Sequence, residues 1–503
     1  MQIREHAEAH PAKPAVILHP SGTQVTFAEL EARANRLAHF FREHGLREGD
    51  AVAVLMENNE HFHIVMWAAR RCGQYYVPIN THLTATEVAY IIDNSSAAAI
   101  VGSAGLRKTC ENLADHTMPD LRIIADDDLD GWHRYPECVA DQPDTAIDDE
   151  IEGDLLQYSS GTTGRPKGIK RELPHVPPAE APGLMSALVE FWMNPNAIYL
   201  SPAPLYHTAP SVWSMSAQAG GITTVVMEKF DPEGCLDAIQ RYRVTHGQFV
   251  PAMFTRMLKL PESVRNSYDV SSLQRVMHAA APCPVEIKKQ MMDWWGPIVD
   301  EYYASSEAHG STLITADEWL ARPGSVGRPM AGAVHILDAD GKELSSGQAG
   351  EVYFEGGFDF EYLNDPDKTA KSRDKHGWKT VGDIGYLDED GYLYLTDRRH
   401  HMIISGGVNI YPQEAENMLV THPKVMDAAV FGIPDDEMGQ AVKGVVQTVD
   451  PADGTEEFAD ELLAWLRDRL AHYKCPRSIS FEAQLPRTDT GKLYKQELVS
   501  KYS

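Results

Sequence analysis

Short apolar runs alternate with amphipathic helical segments along most of this chain, and this alternation is the strongest constraint on its fold. Residues 26–45 form a predicted helix that begins with Thr26 and Glu29 in a capping pattern, and residues 51–56 form a predicted apolar strand. A second alternation of strands and helices covers residues 197–305, and its predicted strands include 223–227 and 275–281. Strands separated by helices pack in layers, so the sequence predicts an α/β fold with two doubly wound subdomains.

Residues 326–396 have a different pattern. Short strand-like runs are separated there by acidic, glycine-containing turns at 338–341 and 388–391. This pattern is typical of antiparallel strands joined by hairpins, so the sequence predicts a small β-barrel. Beyond residue 400 strand and helix patterns return, and they predict a small α+β domain at the carboxyl end.

Length and charge limit the classes of protein to which the chain can belong. Its 503 residues exceed one ordinary core, so more than one domain is expected. The formal net charge of -28 argues against a nucleic-acid partner and against tight docking on anionic lipid, because both would repel the chain. Much of the acid lies in residues 126–154, which we interpret as a solvated segment rather than a metal site.

Signals for disulfides, zinc and membranes are weak. The six cysteines are scattered without paired spacing, so neither a disulfide nor a zinc site is predicted. His61 with His63, and His400 with His401, have no carboxylate or thiol at ligand spacing in the sequence. Residues 1–6 lack the apolar core of a signal peptide, and no apolar run approaches about 18 residues. We therefore expect a cytoplasmic protein without an integral membrane segment.

Residues 158–168, with the sequence Tyr-Ser-Ser-Gly-Thr-Thr-Gly-Arg-Pro-Lys-Gly, are rich in glycine and hydroxyl groups. Glycines allow a sharp turn that directs several backbone N–H groups toward one point, and the hydroxyls and lysine complete a surface suited to a polyphosphate. The stretch is not a Walker A loop, because Lys167 is followed by Gly168 rather than by serine or threonine. A flexible surface loop is the alternative interpretation of such a composition.

The run Ser-Ser-Gly-Thr-Thr-Gly-Arg-Pro-Lys-Gly resembles the phosphate-binding signature of the adenylate-forming enzymes, which include acyl-CoA synthetases, peptide-synthetase adenylation domains and beetle luciferases. Further family motifs follow in the same order, between about Thr26 and Lys495. The resemblance implies that the enzyme activates a carboxylic acid with ATP, giving an acyl-adenylate and pyrophosphate. It also implies that the β- and γ-phosphates are bound by Ser159, Ser160, Gly161, Thr162, Thr163, Gly164 and Lys167.

The stretch Tyr-Tyr-Ala-Ser-Ser-Glu, which ends at Glu307, resembles the family motif Tyr-Gly-x-Thr-Glu. The resemblance implies that Glu307 is a catalytic residue that holds Mg²⁺ against phosphate oxygens, since a carboxylate suits this hard cation. It also implies that Tyr302, Tyr303 and Ser306 bind the nucleotide. Ala304 replaces the usual glycine, and ordinary strand packing is the alternative role of the two tyrosines.

Three further family motifs supply nucleotide-binding and catalytic residues. Asp383, in Trp-Lys-Thr-Val-Gly-Asp, resembles the aspartate that accepts both ribose hydroxyls, and Arg398 matches the arginine that binds the same sugar. Lys492, in Pro-Arg-Thr-Asp-Thr-Gly-Lys, resembles the lysine that bridges the carboxylate and the α-phosphate, so it is the predicted catalytic cation. Ala280 and Ala281 are assigned to the nucleotide site by the same resemblance.

The resemblance also implies a domain organisation and a second step. It predicts an adenylation domain over residues 1–397, a hinge at 398–400 and a small mobile lid over 401–503. In the second step the lid rotates and presents Gly406 and Gly407, which match a segment that lines the pantetheine tunnel. His400 stands where the hinge usually has aspartate or lysine, and both an exposed linker role and a protonation-dependent role stay open.

The motif Pro-Leu-Tyr-His-Thr resembles the start of the acyl pocket. Tyr206 and His207 stand near the point where amino-acid-activating relatives place an aspartate, so an amino acid is not the expected substrate. His207 either orients the carboxylate, as a catalytic residue, or satisfies a buried hydrogen bond. The resemblance also places near the pocket Trp213, Phe249, Met253 and the three alanines Ala279, Ala280 and Ala281. Plain core packing is the alternative role of the aromatic and methionine residues.

Prolines alter the chain just after the glycine-rich stretch. Pro174, Pro177 and Pro178 prevent a helix from starting before about Ala179, where relatives have an aliphatic stretch before a helix. We expect an altered wall beside the acyl entrance that admits a bulkier acid.

These observations predict an ATP-dependent acyl-CoA synthetase, an AMP-forming acid–thiol ligase, for a fatty or other hydrophobic acid. The alternatives are an aryl or polycyclic acid–CoA ligase, an acyl-AMP ligase that loads a carrier protein, and a catalytically inactive binding protein. The expected cofactors and co-substrates are ATP, Mg²⁺ and coenzyme A, and the expected state is a monomer or homodimer.

Overall fold

The computed structural model describes residues 2–159, 166–181, 189, 191–398, 401–405, 408–435, 438–487 and 493–503. The chain divides into two compact units. The first consists of Met1–Gln248, Tyr268–Arg275 and Phe358–Lys371, and the second of Phe249–Ser267, Val276–Gly357 and Ser372–Ser503. The domain boundaries predicted at the 398–400 hinge stay a prediction.

Helices and strands alternate over the first three hundred residues, as the sequence predicts. The helices are α1 (Ile3–Ala9), α2 (Phe27–Glu43), α3 (His61–Arg71), α4 (Ala85–Asn94), α5 (Arg107–Asn112), α6 (Thr208–Ala219), α7 (Pro232–Tyr242), α8 (Pro251–Leu258), α9 (Glu262–Arg265), α10 (Val285–Trp295), α11 (Ala316–Ala321), α12 (Pro366–Lys371), α13 (Pro412–Leu419), α14 (Glu456–Arg467) and α15 (Lys495–Tyr502).

The strands follow the same order along the chain. They are β1 (Pro14–His19), β2 (Gln24–Thr26), β3 (Ala51–Leu55), β4 (Tyr75–Pro78), β5 (Ala97–Ser103), β6 (Leu121–Ala125), β7 (His133–Tyr135), β8 (Asp154–Leu155), β9 (Gln157–Ser159), β10 (Lys167–Lys170), β11 (Ile198–Ser201), β12 (Thr223–Met227), β13 (His246–Phe249), β14 (Arg275–His278), β15 (Val299–Ala304), β16 (Ser311–Ile314), β17 (Arg328–Pro329), β18 (Ala333–Leu337), β19 (Gly350–Glu355), β20 (Glu361–Tyr362), β21 (Asp383–Leu387), β22 (Leu393–Arg398), β23 (Ile403–Ser405), β24 (Val408–Ile410), β25 (Val425–Asp435), β26 (Gly439–Thr448) and β27 (Ser478–Phe481).

Parallel strands dominate the first unit. One sheet has the order β7-β6-β5-β3-β4-β8, and all of its neighbours pair in parallel. A second group joins β1, β12 and β11 in parallel, with β2 antiparallel at its edge. The predicted helix at 26–45 is confirmed as α2, which Thr26 and Glu29 begin with a reciprocal capping box. The predicted α/β class is therefore confirmed.

A buried ion pair joins α2 and α3 inside the apolar core of the first unit. The guanidinium of Arg71 donates from Nη2 to Glu31 Oε2 at 2.8 Å and from Nη1 to Glu31 Oε1 at 3.0 Å. Asn35 donates from Nδ2 to the same Glu31 Oε1 at 3.0 Å. Only 4 % of Arg71 and 8 % of Glu31 are exposed, so both charges depend on each other for solvation.

The second unit contains parallel and antiparallel parts. β14 and β15 pair in parallel, and β16 and β17 extend β15 in antiparallel fashion. The predicted antiparallel segment at 326–396 is confirmed as the sheet β18-β19-β21-β22. The carboxyl-terminal part has the sheet β25-β26-β27, whose apolar residues cluster with those of α13 and α14. In the part of the chain that the structure describes, no helix is long and apolar enough to span a membrane.

Candidate functional site

Two antiparallel strands of the first unit bring the ends of the glycine-rich stretch together. Ser159, the last residue of β9, lies opposite Lys167, the first residue of β10. Gly168 packs closely against Tyr158, since an added Cβ would lie 3.0 Å from Tyr158 Cζ. The strands thus hold both ends of the predicted phosphate loop in register. Ser160, Gly161, Thr162, Thr163 and Gly164 lie outside the described residues.

The predicted start of the acyl pocket lies beside the same strands. Gln157 of β9 donates from Nε2 to the backbone oxygen of Tyr206 at 3.2 Å. The ring of His207 lies 4.4 Å from that of Tyr206, and His207 immediately precedes helix α6. Trp213 of α6 is buried and meets Trp192 edge to face, with ring centroids 5.1 Å apart. Strand β9 therefore connects the phosphate stretch with the Tyr206–His207 motif within one unit.

The segment after the glycine-rich stretch has the irregular form that its prolines predict. Among the described residues between 171 and 181 there is no helix. Arg171 donates from Nε and Nη2 to the two carboxylate oxygens of Asp154 at 2.8 and 2.7 Å, and Leu173 is buried. This ion pair fixes the segment against β8. Its predicted role as a wall of the acyl entrance stays a prediction.

The second unit holds the predicted ribose and metal ligands. The hydroxyl of Tyr303, in β15, donates to Asp383 Oδ2, and Asp383 is 5 % exposed. On the neighbouring strand, Arg398 occupies the position opposite Asp383. Glu307 is 9 % exposed, and it follows β15 together with Ser306. The structure thus links the Tyr303 motif to Asp383, and it places Arg398 at the adjacent register position.

His309 is a buried residue of this region that sequence reasoning did not select. Its Nδ1 lies 2.7 Å from the hydroxyl of Ser305, and its ring meets Phe354 edge to face at 5.0 Å. Burial lowers the pKa of His309 to about 4, although the nearby Glu307 and Asp383 act in the opposite direction. His309 is therefore neutral at pH 7. A histidine two positions after Glu307 was the available signal in the sequence.

The loop that carries Ala280 and Ala281 begins earlier than predicted. A strand was expected over 275–281, but β14 ends at His278 because Ala280 has a positive φ of 73°. This left-handed backbone conformation interrupts the strand and is disfavoured for a residue with a side chain. Ala280 is exposed and Ala281 half-buried, whereas Phe249 and Met253 are buried in the second unit.

One sequence-based expectation about His61 is wrong. No carboxylate was expected beside it, but the fold brings Asp126 Oδ2 to 2.6 Å from His61 Nε2, and Glu60 lies within reach of both. Asp126 is far from His61 in the sequence, so only tertiary structure reveals the contact. The predicted residues Lys492, His400, Gly406 and Gly407 lie outside the described residues.

Comparison with known proteins gives matches along almost the whole chain. The model of the AMP-binding enzyme family matches residues 3–359, and that of the AMP-binding enzyme C-terminal domain matches residues 414–492. A feruloyl-CoA synthase of an Amycolatopsis species is 34% identical over 96% of this chain and 95% of its own. The long-chain-fatty-acid–CoA ligase FadD13 of Mycobacterium tuberculosis is 31% identical over 100% of this chain and 98% of its own. The structure of the amide bond synthetase McbA from Marinactinospora thermotolerans aligns with a TM-score of 0.84, at 28% identity, and covers 99% of both chains.

The fold and these matches define an enzyme that uses ATP to activate a carboxylic acid as its adenylate. The chain belongs to the AMP-binding enzyme family, in its acyl-CoA synthetase branch. It is an AMP-forming acid–thiol ligase, and its substrates are a small-molecule carboxylic acid, ATP and coenzyme A.

Replacing Tyr303 by phenylalanine is expected to raise the KM for ATP about three- to tenfold with little change in kcat, because Asp383 loses the bond that orients it. Initial rates at varied ATP concentrations measure this. Tyr268→Phe is the matched control, since the Tyr268 hydroxyl donates to Glu233 at 2.9 Å in the other unit. An equal change in the KM for ATP in both variants, or no change in Tyr303→Phe, would contradict the role predicted for Tyr303 in orienting Asp383.

Proposed function

We propose that this ligase acts on a hydrophobic monocarboxylic acid, with a fatty acid as the first candidate. The observation that best supports the nucleotide-dependent reaction is the hydrogen bond from Tyr303 to the buried Asp383, because it joins two motifs that the family uses for the nucleoside. The apolar Trp213, Phe249 and Met253, and the absence of an aspartate at Tyr206–His207, support a hydrophobic acid without an ammonium group.

In the proposed first step, an oxygen of the substrate carboxylate attacks the α-phosphorus of ATP. The bond from that phosphorus to the bridging oxygen breaks, and pyrophosphate leaves with the electron pair. Both reactants are anions, so the protein contributes mainly by positioning them and by neutralising charge. Lys492 supplies the charge at the carboxylate and α-phosphate, and residues 159–167 bind the departing phosphates. In the second step the thiolate of coenzyme A displaces AMP.

Glu307 is the proposed Mg²⁺ ligand. Its carboxylate is 9 % exposed, and an anionic oxygen donor is the type of ligand that this cation prefers, so the residue fits the ion. Bound Mg²⁺ would neutralise charge on the phosphate oxygens. Asp383 and Arg398 hold the ribose, while Tyr302, Tyr303, Ser306, Ala280 and Ala281 contact the nucleoside. We further propose that residues 398–400 are the hinge of a lid over 401–503 that carries Gly406 and Gly407.

An aryl acid is the second candidate. The edge-to-face pair of Trp213 and Trp192 favours it, since aromatic side chains also accommodate aromatic ligands in this way. The 34% identical relative is called a feruloyl-CoA synthase, whereas the 31% identical one is called a long-chain-fatty-acid–CoA ligase, so the names support both candidates.

A panel of acids tests the proposal. Short, medium and long fatty acids, benzoic and cinnamic acids and a steroid side-chain acid are incubated with ATP and Mg²⁺, and AMP release is measured with and without coenzyme A. We expect coenzyme-A-dependent turnover that is highest for one chain-length class of fatty acid. Preference for cinnamic or benzoic acid would replace the fatty acid with the aryl candidate. Pyrophosphate release without thioester would overturn the coenzyme A step and indicate a carrier-protein acceptor.

A further inference from the structure

Three ionisable side chains form a buried cluster in the second unit. Lys288 donates from Nζ to Glu301 Oε2 at 2.8 Å, and His278 Nε2 lies 3.3 Å from the same oxygen. None of the surface of Lys288 or His278 is exposed, and 6 % of Glu301 is. The ammonium group of Lys288 also lies 4.7 Å from the ring centroid of Trp319. A buried ion pair is costly to desolvate, and removing one partner leaves the other charge buried without compensation.

The charge state of the cluster follows from these contacts. Burial alone would raise the pKa of Glu301, but the adjacent His278 and Lys288 groups reverse this shift and hold the pKa at about 2. Burial lowers the pKa of His278. At neutral pH Glu301 is therefore an ionised carboxylate. The carboxylate of Glu301 accepts a hydrogen bond from Lys288, and the ring of His278 lies beside the same oxygen without a hydrogen bond to it.

The cluster lies on two adjacent parallel strands, at the end of β14 and in the middle of β15. His278 is the last residue of β14, and it is paired in register with Glu301 of β15. The loop with Ala280 and Ala281 follows His278 directly, and Tyr302 and Tyr303 follow Glu301 directly. Ligands of parallel sheets bind at the carboxyl ends of the strands. The loop with Ala280 lies at that end of β14, and Tyr302 and Tyr303 belong to the second half of β15.

Glu301 contacts both sides of the loop at 279–284. His278 precedes the loop, and Lys288 lies in the first turn of α10, which follows it. Within the loop Ala280 has a φ of 73°, a conformation that glycine adopts freely but alanine does not. A loop with this residue needs outside contacts to stay in one conformation. The contacts to Glu301 supply them at each end.

We propose that Glu301 is a positioning residue, which holds the loop at 279–284 in the left-handed conformation that receives the nucleoside of ATP. Glu301 acts through His278 and Lys288 rather than by touching the substrate. This inference rests on the proposed function, because it takes the role of Ala280 and Ala281 in nucleotide binding from there.

The test is a double-mutant cycle between Glu301→Gln and Ala280→Gly, with the dissociation constant of ATP measured by calorimetry on the full-length protein without any acid substrate. Glycine reaches positive φ without steric cost, so it lessens the need for the cluster. We expect Glu301→Gln to weaken ATP binding about tenfold in the natural background but no more than about twofold in the Ala280→Gly background. If Glu301→Gln only destabilised the fold, it would weaken ATP binding equally in the natural and the Ala280→Gly backgrounds.

Two controls keep the outcome clear. Asp453→Asn removes an exposed ion pair with Lys424 (2.9 Å) and should leave the affinity for ATP unchanged. If Glu301→Gln does not fold because Lys288 is left unpaired, Glu301→Gln/Lys288→Met removes both charges and enters the same cycle. Equal weakening in both backgrounds, or none, overturns the proposed role of Glu301. Failure of the unaltered protein to bind ATP would instead overturn the proposed function.

Discussion

Replacing Lys492 by alanine is expected to slow formation of the acyl-adenylate by about 10²- to 10³-fold, a loss typical of one removed charge-stabilising group. The reason is electrostatic, because a carboxylate and a triphosphate repel each other until a cation lies between them. Thioester formation from supplied acyl-adenylate should stay within about threefold of the unaltered enzyme, because no second anion has to be brought to the α-phosphate in that step.

The two half-reactions are measured separately. Pyrophosphate release in the absence of coenzyme A reports the first, and thioester formation from synthetic acyl-adenylate reports the second. Lys501→Ala is the matched control, since Lys501 is an exposed lysine of the same carboxyl-terminal stretch, paired with Glu482 at 2.5 Å. It should change neither rate. Equal loss of both half-reactions in Lys492→Ala would be inconsistent with the role proposed for this lysine.

The second large effect concerns stability. Arg71→Met is expected to lower the free energy of unfolding of the first unit by about 3 kcal/mol, the lower end of the range for a buried pair that loses one partner. Glu31 would keep the amide of Asn35 at 3.0 Å and the partly exposed Arg4 at 3.4 Å, which limits the loss. The carboxylate would nevertheless stay buried without its bidentate partner.

Urea unfolding and hydrogen exchange of the α2 and α3 amides measure this effect in the first unit. A double variant, Arg71→Met/Glu31→Leu, should recover most of the lost stability, because it removes both buried charges. Arg107→Ala, which breaks a partly exposed pair with Asp127, is the control and should not shift the unfolding midpoint. A midpoint for Arg71→Met equal to that of Arg107→Ala would contradict the argument.

Local patterns in the sequence predict most of the fold, because periodicity and capping act over a few residues. The Thr26–Glu29 capping box and the strand at Thr223–Met227 agree with the structure for this reason. The early end of β14 was not predicted, since the strand pattern continues through residue 281 while Ala280 adopts a positive φ. At residues 279–281 the backbone geometry of the loop overrides the local strand propensity.

The candidate site also has some features that sequence patterns predict and others that they do not. Motifs identify Tyr303, Glu307 and Asp383, and the structure adds the Tyr303–Asp383 hydrogen bond. Contacts between residues that are not sequence neighbours have no local signal. The contacts of His61 with Asp126 and of Glu301 with Lys288 are of this kind. The catalytic and ligand-binding roles of the site residues stay predictions until the half-reactions are measured.

The division of the chain into interleaved segments has a consequence for its synthesis. Strand β10, which leads out of the glycine-rich stretch, pairs with β20, and β20 is made only after all of the second unit's first two segments, which end at Gly357. A nascent chain that ends before Glu361 therefore lacks one of the two neighbours of β10. Because domains fold as they leave the ribosome, the amino-terminal unit cannot complete this small sheet until translation has passed residue 362.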